Sequence, residues 1–273
     1  MTNSEWQLVH GTLMTSEPIA AYGGISIPTA TLQDIALQMS ALETPFHLDH
    51  DLSKPLRMRN LEFFVKRRSD GIDELRFQAE LHEKDIHWLE SRPAVSGTLM
   101  SPLERDQAKS VNSAAEFRLS ADHAWFSDDS LIRAEEQFLL SSLELGQIAV
   151  ERAYQFSAVP DPQIYLQITY SILSSIGAAA LWDGIKVVFA KRKTPHGGSE
   201  AAPTVINLTV KDGPRSMTAV VKTQDESVAH RAIDAISETA TDFFQGSADS
   251  SAANEARAVT VWDHETGRWT IPG

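Results

Sequence analysis

Val205-Ile206-Asn207-Leu208-Thr209-Val210 and Met217-Thr218-Ala219-Val220-Val221-Lys222 are two β-prone runs joined across Asp212-Gly213, a tight-turn pair. In the first run Ile206, Leu208 and Val210 recur with the period of two that puts them on one face of a strand. Upstream lies a third strand-like run, Ile164 to Tyr170, then the apolar stretch Ile172 to Lys191 with Gly177-Ala178-Ala179-Ala180 in its middle. That stretch reads as a helix, and its basic end, Lys191-Arg192-Lys193, suits a helix C-terminus. Pro195 to Pro203 is a loop. Downstream, Thr223-Gln224-Asp225-Glu226 fits a capping box before a helix with Ala229, Ala232, Ile233, Ile236, Ala240 and Phe243 on its apolar face. The order strand, helix, strand, strand, helix over 161–245 is close to a ferredoxin-like βαββα unit. Small and polar residues over 246–256 read as a flexible linker. Ala258 to Trp262 and Arg268 to Ile271 form a terminal hairpin within 257–273, with Trp262 and Trp269 as a packing pair.

The apolar run Ile164 to Trp182 has about the length of roughly 20 residues that a membrane span requires. Gln163, Gln167, Thr169 and three serines dilute it, and Asp183 follows. A buried core helix is the expectation, with no membrane span.

Before these elements, 131–160 reads as a connecting helix, with Leu131, Ala134, Phe138, Leu145, Ile148 and Ala149 on one side. Such a helix packs back on its own unit or onto a second subunit, so a homo-oligomer is among the assemblies considered. Residues 1–130 are rich in strands. Leu8 to Met14, Ile25 to Pro28, Pro45 to Asp51, Leu61 to Arg67, Leu75 to Leu81 and Ala94 to Met100 are strand candidates. Glu116 to Leu119 and Ala124 to Phe126 give weaker signals. Thr31 to Leu42 and Asp85 to Ser91 read as helices. The whole is an α+β chain.

The chain has 273 residues, 42% of them hydrophobic and 22% charged, which is enough apolar material to fold. Its net charge of −13 opposes a phosphate backbone, so no nucleic acid is expected as partner. With no cysteine there is no disulfide, no thiolate metal site and no cysteine nucleophile. The first residues, Met1-Thr2-Asn3-Ser4-Glu5-Trp6, lack the basic and apolar stretches of a signal peptide. A cytoplasmic location is the expectation.

Two local patterns could carry chemistry. In His47-Leu48-Asp49-His50-Asp51 a strand sends residues 47, 49 and 51 to one face, and His50 to the other with Leu48. An inward imidazole near a hydroxyl is what a general base needs. Ala94-Val95-Ser96-Gly97-Thr98-Leu99 sets a serine in an apolar run before a glycine, where a substrate backbone has room to approach. Serine becomes a nucleophile when an adjacent base takes its proton, and a third group must orient that base. Asp122 and His123 are the candidates for the third place. The same histidines are also readable as polar groups at a strand end, and Ser96 as a small residue beside a bulge. His47 and His50 face opposite ways on a strand and make a poor metal pair. No metal or organic cofactor is expected.

The run Gly24-Ile25-Ser26-Ile27-Pro28, the His50 strand and the Ser96 strand together resemble the prohead maturation proteases of tailed phages, which share fold and mechanism with the herpesvirus assemblins. The resemblance spans about Leu8 to Phe126. It implies a small β-barrel with flanking helices, a protein substrate, Ser96 as nucleophile and His50 as base. The pattern departs from that family where Ser96-Gly97-Thr98-Leu99 replaces Ser-x-Gly-Phe, and where Pro55-Leu56-Arg57 lacks a glycine. The C-terminal region resembles effector-associated components of bacterial conflict systems. That likeness implies a protein-binding adaptor without an active site. The functional expectation is a serine endopeptidase-like protein cutting a protein partner; the alternative is an inactive interaction module in a bacterial defence or signalling assembly.

Overall fold

The computed structural model describes residues 5–41, 47–48, 51–91, 95–96, 98–103, 117–141, 148–155, 160–246 and 257–271. The chain is mixed α+β and divides into two units. The first is Met1–Thr98 with Gln155–Pro160; the second is Leu99–Tyr154 with Asp161–Gly273.

The first unit contains strand β1 (Trp6–Thr15), helix α1 (Thr29–Ala41), strands β2 (His47–Leu48), β3 (Asp51–Pro55), β4 (Met58–Arg67) and β5 (Asp73–His82), helix α2 (Glu83–Ser91) and strand β6 (Val95–Ser96). Strand β5 alternates strictly. Leu75, Phe77, Ala79 and Leu81 are buried, and Arg76, Gln78 and Glu80 are half-exposed between them. It is the middle strand of an antiparallel sheet, β1-β5-β4. Helix α1 brings Leu32, Ile35 and Ala36 to the same core. Its first residue, Thr29, donates its hydroxyl to the carboxylate of Asp73, where β5 begins. A second three-stranded sheet has the order β3-β2-β6. Among the described residues the strands form these two sheets and no closed barrel. The expected strand Ile25 to Pro28 is reduced to a single bridge between Ile19 and Ile25. Gly23 and Gly24, both at positive φ (74° and 79°), fold the chain back there, and Pro28 has no N–H to give a ladder. The expected strand Pro45 to Asp51 contains β2, and β3 starts anew at Asp51. Of the expected strand Ala94 to Met100, Val95–Ser96 and Thr98 to Met100 lie in strands, and Ala94 and Gly97 lie outside the described residues.

The second unit contains strands β7 (Thr98–Pro102) and β8 (Phe117–Asp122), helix α3 (Asp128–Ser141), strands β9 (Ile148–Gln155) and β10 (Gln163–Thr169), helix α4 (Tyr170–Phe189), strands β11 (Thr204–Asp212) and β12 (Arg215–Thr223), helices α5 (Glu226–Asp234) and α6 (Ile236–Gly246), and strands β13 (Arg257–Asp263) and β14 (Arg268–Thr270). Eight strands form one mixed sheet in the order β14-β13-β12-β11-β10-β8-β9-β7. The pairs β8/β9, β10/β11 and β12/β13 are parallel, and antiparallel pairs join them. The β–α–β–β–α order expected from sequence is present, but each parallel pair is in direct contact. A ferredoxin-like unit splits its parallel partners around another strand, so this sheet has a different topology.

The expected connecting helix ends early. Helix α3 stops at Ser141, and Ile148 to Gln155 is a strand. Ile148, Ala149 and Leu145 can be spaced on a helix. Yet Ile148, Val150, Arg152 and Tyr154 also share one face of a strand, and the parallel ladder to β8 satisfies that backbone. The weak strand signal at Ala124 to Phe126 is a turn, because the side chain of Asp122 accepts the Ala124 N–H (2.9 Å). The cap of α5 is Asp225, which accepts the Ser227 N–H (2.7 Å), in place of the expected Thr223 box. Of the stretch 246–256 read as a linker, Gly246 ends α6 and 247–256 lie outside the described residues.

Helices α3 and α5 pack on one face of the sheet. Phe138 of α3 meets Phe117 edge-on at 4.8 Å. Trp269 pairs with Trp262 at 5.3 Å and donates its indole N–H to the Ala232 carbonyl of α5. Helix α4 belongs to the same layer, since Gly184 comes so close to the Phe138 ring that a Cβ there would lie 2.2 Å from it. Among the described residues, α4 is the one helix long and apolar enough to cross a membrane; 33% of its most apolar window is buried. Gly177, at φ 73° and ψ 166°, kinks it.

Candidate functional site

Strands β2 and β6 are antiparallel neighbours, with Ser96 opposite His47 and Val95 opposite Leu48. Opposite partners in a ladder lie on one face of a sheet, with Cβ atoms roughly 5 Å apart. The ladder therefore gives Ser96 a histidine as cross-strand partner, and that histidine is His47. On its other side β2 pairs with β3, Leu48 opposite Asp51. Asp49 and His50 lie outside the described residues.

Asp122 and His123 stand in the second unit, where β8 ends. Asp122 is fully buried. Its bond to the Ala124 amide fixes the turn that leads from β8 into α3, a structural duty that follows from the short side chain of Asp. His123 stays half-buried at the carboxyl ends of the parallel strands β8 and β9. Its backbone N–H donates to the Ala153 carbonyl (2.9 Å), and its ring lies 5.5 Å from that of Tyr154.

Around this imidazole the second unit assembles three residues that the sequence reading did not single out. Asp128, the first residue of α3, has Oδ1 3.5 Å from His123 Nδ1. That is close enough for charge attraction and too long for a good hydrogen bond; Nδ1 is buried without a hydrogen-bond partner. Arg152 of β9 donates to Asp128 through both arms of its fork, at 2.9 and 2.6 Å, and also bonds Tyr154. Hydrogen bonding to Arg152 holds the Asp128 carboxyl below the usual carboxylate range. Burial pushes the His123 imidazole below its ordinary value. Asp128 opposes that shift, and the charges of Arg152 and Lys193 add to it. Burial raises the Tyr154 phenol, against the pull of Arg152. Burial thus disfavours the charged imidazole, while the Arg152 guanidinium favours the ionised Asp128 carboxylate beside it. A sequence signal existed for Asp128: an acidic residue in the first turn of a helix. Arg152 gave none, because its strand was read as helix.

The turn is tied to the end of α4. Lys193 donates its N–H to the Trp125 carbonyl (2.8 Å), and the Arg192 guanidinium lies 4.6 Å over the Trp125 ring. Arg192 also donates to the carbonyls of Ser199 and Glu200. The basic end of α4 is thus partly engaged in packing. His196, His230 and His264 are exposed. Among the described residues, no group of three or more His, Asp or Glu is placed to hold a metal ion. Protein-family models, curated proteins and solved structures contain no match to this chain.

Proposed function

We propose that the chain is a serine endopeptidase-like protein whose first unit cuts a protein partner through Ser96. The observation that supports this reading is the β2–β6 register, which sets a histidine opposite the serine. In this reading the imidazole takes the Ser96 hydroxyl proton as Oγ attacks the scissile carbonyl. The proton then passes to the leaving amine, and water completes hydrolysis of the acyl-enzyme. The resemblance to the prohead proteases assigns the base to His50; the register favours His47 of β2. The test is covalent labelling of the purified chain with a fluorophosphonate. Ser96→Ala should abolish labelling. Of the two histidine variants, His47→Ala should abolish it and His50→Ala should not; the reverse result returns the base to His50.

An inactive interaction module is the second reading. It is favoured by Asp122, whose carboxylate is buried and bound to the turn it caps rather than held ready to orient an imidazole. Failure of the wild-type chain to label would sink the protease and leave this module.

A further inference from the structure

Strand β4 is an edge of the first unit's sheet. Among the described residues it has one ladder, to β5. The free side of an edge strand presents unpaired N–H and C=O groups, a template for another strand. On one face of β4 Glu62, Phe64 and Lys66 are exposed, and Arg59 and Asn60 before them and Arg67 after them are exposed too. On the other, core-directed face Phe63 and Val65 are half-buried, although their β5 partners Phe77 and Leu75 are fully covered.

The charges of the exposed face are arranged about a centre. Glu62 and Lys66 flank Phe64 at two residues on either side, and among the described residues neither takes part in an ion pair. They are four steps apart on a strand, about 13 Å, too far to bond each other. The other cations of this face are answered within the chain, Arg59 by Glu80 (2.6 Å) and Arg76 by Glu74 (3.9 Å). A twofold axis through Phe64 answers the remaining two. It sets Glu62 opposite the partner's Lys66, and Lys66 opposite the partner's Glu62. On the core-directed face the same register sets Phe63 opposite the partner's Val65, an aromatic–β-branched pair of the kind that stabilises sheets. Moving the axis one residue either way puts a charge opposite Phe64, and moving it two puts like charges together.

We infer that β4 is a homodimer interface: two copies join edge to edge about Phe64 as antiparallel strands, continuing β1-β5-β4 into a six-stranded sheet. The inference does not depend on Ser96. Charge complementarity selects the occupant, because symmetry makes a second copy bring the matching pattern, whereas an unrelated strand must carry it by chance. A lysine on an edge strand commonly guards against pairing; in this register Glu62 neutralises that guard. The opposite edge, β1, offers no such selection. From Trp6 to Thr15 it has no Asp, Glu, Lys or Arg, and a register shift between Thr12 and Met14 interrupts it. The net charge of −13 on each copy opposes approach. Salt confines that repulsion to about 8 Å at physiological ionic strength, while opposed cross-strand side chains lie roughly 5 Å apart.

The experiment is sedimentation equilibrium of the full chain in physiological salt over a wide range of concentration. The wild type should form dimers. Glu62→Lys alone, and Lys66→Glu alone, should each raise the dimer dissociation constant by about tenfold or more, since like charges then stand opposite each other. Mixing these two single variants should restore a dimer of one copy of each, because unlike charges face again. The double variant Glu62→Lys with Lys66→Glu should dimerise like the wild type. All substituted positions are exposed, and unchanged circular dichroism shows that the variants are folded. A wild type that stays monomeric throughout overturns the inference. So does a dimer indifferent to the single reversals, which would lie on another surface, and so does failure of the mixture and the double variant to recover dimers.

Discussion

His123 is the residue whose environment differs most from its sequence appearance. Its imidazole sits below the ordinary histidine value of 6.5, chiefly through burial. As pH falls, the unfolded chain therefore takes up this proton before the folded one does. The stability that a neutral His123 contributes is complete above about pH 6.5 and is lost progressively as pH falls from there through the lower folded value. Asp128 is lowered as well, from 3.8, so its contribution persists until far more acidic conditions. Between pH 7 and pH 5, by this linkage, the wild type should lose urea midpoint and His123→Gln should lose less. Asp128→Asn should lower the His123 titration further, because the carboxylate is the group that favours its proton; NMR of the ring protons reads this directly. A rise would show that Asp128 does not act on the ring.

Packing between elements depends on one absence of a side chain. Gly184 lets α4 approach Phe138, which is fully buried and seated on Phe117. An alanine would place its Cβ 2.2 Å from the ring. Exchanging glycine for alanine within a helix gains about 1 kcal/mol by propensity. Overpacking a rigid core loses roughly 1–3 kcal/mol, and a contact this short belongs at the upper end. Gly184→Ala should therefore lower the denaturation midpoint, by roughly 1–2 kcal/mol net; a raised midpoint would show that Phe138 yields freely. At this scale the sequence was readable wherever alternation was strict. Leu75 to Leu81, Val205 to Val210 and Met217 to Lys222 all lie within strands. It misled at Ile148 to Gln155, where apolar residues at adjacent positions fit both periods and a parallel partner far along the chain made the choice. Ser96 and His47 were visible as residue types, but their pairing depends on strand register, which hairpin-free connections leave unspecified. Asp128, Arg152 and Tyr154 meet His123 only because β8, α3 and β9 form one crossover.

Across the whole molecule, the first unit is completed by a late segment, Gln155–Pro160. Tyr22 shows how. Its buried hydroxyl accepts the Gln155 N–H (2.8 Å) and donates to the Gln155 carbonyl (3.3 Å). Tyr22→Phe should cost about 1–2 kcal/mol and speed hydrogen exchange at the Gln155 amide; unchanged exchange there would show that the two bonds are dispensable.

That returning segment also sets an order of events during synthesis. When Thr98 leaves the ribosome the first unit still lacks its last piece, and roughly 60 residues must follow before Pro160 appears. At about 5–20 residues per second that is a wait on the order of three to twelve seconds. During it the Tyr22 hydroxyl has no Gln155 to bond. A nascent chain arrested before Gln155 should accordingly expose its N-terminal unit to protease more than one arrested well beyond Pro160.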